Sequence, residues 1–80
     1  MFEKLYKSFE ANRSTFWSYQ RLAESRTNPH RMADFARACI LAGRIEQTAR
    51  IIAKEYEDSE PMNEASDIVR WCEETGEAIR

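Results

Sequence analysis

Eighty residues at 42% hydrophobic, 32% charged and a net charge of −2 leave room for one domain, residues 1–80, because a chain this short removes only roughly 60% of its unfolded surface from water. Four Phe, two Trp and three Tyr supply the apolar area that disordered chains lack, so the domain is expected to fold without a metal or cofactor. No apolar run approaches the roughly 18 residues that span a bilayer, and Met1, Phe2, Glu3 and Lys4 open no signal-peptide stretch, which points to a cytoplasmic chain with no membrane partner.

The first apolar set is Phe2, Leu5, Tyr6 and Phe9, then Phe16, Tyr19, Leu22 and Ala23. It keeps helical spacing on both sides of the polar run Asn12, Arg13, Ser14, and predicts one helix over about 2–25. The alternative is a break at Asn12 to Ser14, with Ser14 capping a second helix.

Thr27-Asn28-Pro29 reads as a helix start, with Asn28 at the cap and Pro29 at the first helical position, where the missing N–H costs nothing. A helix over 29–42 then buries Met32, Phe35, Ala36, Cys39, Ile40 and Ala42, and Gly43 ends it in the left-handed conformation. A third helix over 44–57 buries Ile45, Thr48, Ala49, Ile52, Ala53 and Tyr56, with Ile51 beside them. Ser59-Glu60-Pro61 starts a fourth over 61–75, whose apolar face is Met62, Ala65, Ile68, Val69, Trp71 and Cys72, ending at Gly76. The expected class is all-α, a small bundle of about four helices paired as antiparallel hairpins.

Cys39-x3-Gly43 recurs as Cys72-x3-Gly76, Pro29 recurs as Pro61, and Phe35 and Ile68 keep the offset of the cysteines. Repeats of this length with helix, turn, helix are the mark of tandem helical hairpins. On Phe35, Ala38, Cys39 and Ala42, and on Ile68, Trp71, Cys72 and Thr75, residues 28–76 resemble the tetratricopeptide family. Ala49 and Ala53 stand for its second-helix small residues and Pro61 for its closing proline, while cysteine replaces the usual contact glycine. The resemblance implies stacked hairpins with Cys39 and Cys72 at equivalent places, roughly 10 Å apart by ordinary helix spacing. That is beyond the Cα separation of about 7 Å that a disulfide tolerates. Both cysteines read as buried thiols that pack as small hydrophobes.

Little catalytic chemistry is on offer. One histidine and two distant thiols make a poor start for a metal site. His30, nine residues from Cys39 on a helix, lies more than two turns from the only thiol near it and reads as an exposed residue of a first turn. No glycine-rich loop precedes a helix. The expectation is a non-enzymatic chain.

Charge is unevenly spread: residues 1–54 carry ten Lys and Arg against five acids, a net +5, and residues 55–80 two Arg against nine acids, a net −7. Such a division arises from pairing within the fold, from head-to-tail association, or from two faces that meet different partners. Phe16, Trp17 and Tyr19 project about 100° apart around the first helix, too widely for one buried face. The leading expectation is an adaptor or inhibitor, in size and style like accessory proteins of phages and mobile elements. It would bind another protein through Phe16, Trp17, Tyr19, Arg13 and Arg21, and through the acidic Glu73, Glu74 and Glu77. The alternatives are a nucleic-acid-binding regulator using the arginines of residues 13–50 and a self-assembling homo-oligomer.

Overall fold

The computed structural model describes the backbone of residues 2–79 and the side chains of residues 3–78, and among these residues it contains three α-helices and no strand. These are α1 (Phe2–Glu24), α2 (Arg31–Tyr56) and α3 (Glu60–Ile79). Short connections turn successive helices antiparallel, so α1 and α3 run in the same direction on either side of α2. The 26 residues of α2 rise about 39 Å and set the 41 Å length of the molecule, which is only 20 × 14 Å in the other two dimensions.

α1 is unbroken through Asn12 to Ser14. Leu5, Phe9, Asn12, Phe16, Tyr19 and Ala23 follow one another at alternating intervals of four and three residues, so the inward stripe never loses phase. Ser14 caps nothing: its carbonyl accepts the Ser18 hydroxyl at 3.4 Å inside the helix. Leu22, expected in the stripe, lies on its edge and is 44% exposed.

The expected break at Gly43 does not occur, and the four-helix count falls to three. Ala38, Ala42, Ile45, Ala49 and Ile52 step by four and three residues through the glycine, and all five are buried. A glycine inside a helix costs about 1 kcal/mol relative to alanine. Burying a side chain such as Ile45 or Ile52 contributes about 1.5–3 kcal/mol, and a break would throw both off the line. Burial therefore prevails. Gly76 is likewise inside α3, and neither glycine has a positive φ. With α2 continuous, the two stacked hairpins implied by the tetratricopeptide resemblance do not form.

Side-chain hydrogen bonds to the backbone mark the turns that do exist. In residues 25–30, the Asn28 side-chain oxygen accepts the His30 N–H at 3.0 Å, while its amide donates to the Leu22 carbonyl at 3.0 Å and to Asp34 at 2.8 Å. Asn28 thus binds the end of α1 to the first turn of α2, which begins two residues later than the Asn-Pro signal predicts. Asp34 is a buried acid, 6% exposed, and also takes a hydrogen bond from Arg37 at 2.9 Å. The Asn28 amide first, and the Arg37 guanidinium with it, hold its carboxyl below the usual carboxylate range despite burial. Between α2 and α3 the chain reverses on Glu57, a non-glycine residue at φ 53°, and Asp58 accepts the Glu60 N–H at 3.1 Å.

Candidate functional site: three grooves around one core

Phe16, Ile45 and Ile52 are the largest fully buried side chains, and Phe9, Leu41, Ala65 and Ile68 complete the centre. Around this core each pair of helices forms a groove, and the three grooves differ in chemistry.

The α1/α3 groove is bridged along its length. The Tyr6 hydroxyl donates to Asp58, Arg13 pairs with Glu64 at 2.9 Å, and the Trp71 indole N–H donates to Glu24 at 2.8 Å. Trp71 also sets its ring edge-on to Phe16, with centroids 5.5 Å apart, and lies 5.8 Å from Phe35, so one side chain touches all three helices. The hydrogen bond to Asp58, with some burial, pushes the Tyr6 hydroxyl up to about 12. Its proton therefore stabilises the fold fully below pH 10, the ordinary value, and that contribution is lost as pH rises through the folded value.

The α1/α2 groove is open and basic. Thr15 and Tyr19 of α1 face Arg37, Ile40, Leu41 and Arg44 of α2 across a cavity of about 250 Å³, with no acid in its lining. The Arg37 guanidinium lies 5.9 Å from the Tyr19 ring centroid, within cation–π range. Ile40 is 61% exposed. Arg44 is in no ion pair among the described residues.

The α2/α3 groove is open and acidic. Its cavity of about 530 Å³ holds Cys39 and Cys72 and is rimmed by Glu46, Glu73 and Glu77. A Cβ on Gly76 would stand 3.4 Å from the Phe35 ring, so α3 crosses α2 closely here. The thiols, placed about 10 Å apart by the repeat reading, instead line one cavity and lie close enough for Cys39 to influence the ionisation of Cys72. An antiparallel pair brings this about: one turn along α2 from Phe35 is one turn back along α3 from Gly76. Burial first, and the contact with Cys39 second, push the Cys72 thiol up to about 12.

The residues nominated from sequence scatter over these surfaces. Phe16 is 1% exposed and belongs to the core, which corrects its assignment to a binding face. Trp17 is 46% exposed, but Arg13 sits 5.6 Å over its ring on the α3 side of α1. Tyr19 turns the other way, into the α1/α2 groove. Arg21 is exposed, Glu73 and Glu77 share the acidic rim, and Glu74 is exposed outside it. Ile40 and Met32, assigned to the buried stripe, are 61% and 59% exposed. Ile40 and Arg44 are the functional candidates the sequence reading missed. Their signal is a second stripe on α2, Arg37, Ile40, Arg44, Gln47 and Ile51, again at intervals of three and four residues.

Several arginines are engaged within the chain: Arg13 with Glu64, Arg37 with Asp34, Arg50 with Glu46 at 3.7 Å, and Arg31 on the Ala23 carbonyl at 2.7 Å. Only the Arg13–Glu64 ion pair joins the basic residues 1–54 to the acidic residues 55–80 among the described residues, so most of the charge division remains on the surface. Among the described residues no three His, Cys, Asp or Glu are placed to hold a metal ion, and no helix is long and apolar enough to cross a membrane. Compared with protein-family models, with curated proteins and with solved structures, the chain matches none of them.

Proposed function

We propose that this chain is a non-enzymatic protein-interaction module that seats an acidic amphipathic helix of another protein in its α1/α2 groove. The observation that carries this reading is Ile40, a large apolar side chain 61% exposed between Arg37 and Arg44 and beside Tyr19. An aliphatic centre in the same groove as an aromatic ring, with arginines at its margins, is the composition of an interface core and rim. Arg44, in no ion pair among the described residues, offers the fork that selects a carboxylate on the incoming helix.

A protein partner is favoured over a nucleic acid because Arg13, Arg31, Arg37 and Arg50 are engaged within the chain, which thins the basic track that phosphates need. It is favoured over a second copy because α3 brings charge without an apolar knob. The exposed large apolar side chains, Trp17, Leu22, Met32, Ile40 and Ile51, all lie on α1 and α2 among the described residues.

Panning a displayed library of random helical peptides on the immobilised chain tests the reading. Enriched peptides are expected to carry Asp or Glu beside apolar residues at helical spacing. They are expected to lose binding to Ile40→Glu and Arg44→Glu and to keep it for Glu73→Lys. Enrichment of basic peptides, or of peptides indifferent to Ile40 and Arg44, overturns it.

A further inference from the structure

The α2/α3 groove holds chemistry that a peptide-docking role for the opposite groove does not use. Two half-buried thiols from different helices meet in a cavity open to solvent, large enough at about 530 Å³ to admit a small molecule. Two thiols that line one cavity can react in sequence with one disulfide, which a lone thiol cannot do.

We infer that Cys39 and Cys72 form a dithiol site that exchanges with small cationic disulfides and closes to an intramolecular Cys39–Cys72 bond linking α2 to α3. The Cys39 thiolate attacks one sulfur of R–S–S–R; that S–S bond breaks, a bond from Cys39 Sγ to sulfur forms, and R–S⁻ leaves and takes up a proton. Cys72 then releases its proton to water and its thiolate attacks Cys39 Sγ, expelling the second R–S⁻. The two protein thiols lose two electrons and the reagent disulfide gains them, becoming two thiols.

The order follows from where the proton sits. Burial first, and the contact with Cys39 second, keep the Cys72 proton in place, and the thiolate is the attacking species, so Cys72 acts second. The preference for a positive reagent follows from the rim. Glu73 and Glu77 line the cavity with the thiols, as does Glu46, which also pairs with Arg50 at 3.7 Å, and the lining contains no Lys or Arg. A cationic disulfide is drawn in and an anionic one is repelled.

The test is intact-mass analysis of the folded chain after treatment with cystamine, with oxidised glutathione as the anionic counterpart. Wild type is expected to become lighter by two hydrogens, to carry no adduct, and to recover its mass on reduction. Cys72→Ser is expected to retain one cysteamine on Cys39. Cys39→Ser is expected to stay unlabelled over the same interval, each variant keeping the wild-type helical circular dichroism. At low salt cystamine should act about tenfold faster than oxidised glutathione, with the gap narrowing as salt screens the rim. The inference fails if wild type keeps a stable adduct, or keeps both thiols free under conditions that label the chain in denaturant. Faster labelling of Cys72 than of Cys39 overturns the order of attack, and equal rates with the two reagents overturn the role of the rim. None of these outcomes touches peptide binding at Ile40, so failure here and failure of the docking reading are distinguishable.

Discussion

On one flank of α2, Arg37, Ile40 and Arg44 meet α1; on the other, Cys39, Gly43 and Glu46 meet α3. The two sets interleave in sequence, and a single residue's rotation of about 100° separates basic from acidic surroundings. Both grooves rest on one buried line from Ala38 to Ile52. The contrast with the α1/α3 groove is instructive too. There Tyr6–Asp58, Arg13–Glu64 and Glu24–Trp71 bind the helices together, whereas in the α1/α2 and α2/α3 grooves reactive or adhesive groups remain open to solvent. One side of the bundle is fastened and the other two are left available.

The most drastic way to break the comparison is to remove what both open grooves share. Phe16→Ala vacates the centre against Trp71 and is expected to cost about 3–5 kcal/mol, a large share of the stability of a chain this small. Both sites should be lost together, seen as a collapsed urea midpoint by circular dichroism. A midpoint near wild type would show that Phe16 is not central to the core.

Ile40→Glu separates the grooves. It is expected to weaken the acidic peptide at least tenfold, about 1.4 kcal/mol, while changing stability by no more than about 0.5 kcal/mol, as exposed positions generally do. Cystamine should still close the thiol pair in this variant. Isothermal titration and intact mass on the same preparation check both halves.

Gly43→Ala sharpens the account of α2. Nothing lies within 4 Å of the added Cβ, so the helix should gain about 1 kcal/mol, raising Tm by about 4–8 °C. A destabilised variant would mean that the glycine permits a contact or bend that α2 requires.

The smallest effect concerns the fastened side. Wild-type stability should decline as pH climbs above 10 towards about 12, the folded value of Tyr6, and Tyr6→Phe should flatten that part of the profile. An unchanged alkaline profile in the variant would assign the decline to other groups.

Much of this fold is readable from residue order. The all-α class, the turns near Asn28 and Ser59, and the continuity of α1 all follow from spacing and capping residues. Gly43 misleads because glycine permits a helix end, whereas the apolar step through it stays in register. Conversely, Glu57 makes the left-handed turn that ends α2 with no glycine to announce it. The site is less legible for a geometric reason. Whether Ile40 faces the core or solvent depends on where α1 and α3 sit around α2, and the meeting of Cys39 with Cys72 depends on the offset of an antiparallel pair, which the turn and the close crossing at Gly76 set jointly. Neither is a property of a single helix.

The central claim is that the α1/α2 groove is the docking face. The most direct measurement is the amide chemical-shift map of the isotope-labelled chain titrated with an acidic peptide selected on it. The account predicts the largest changes at Tyr19, Arg37, Ile40 and Arg44, with Glu73 and Gly76 unmoved. Changes centred on the α2/α3 groove, or confined to the exposed ends of the helices, would contradict it.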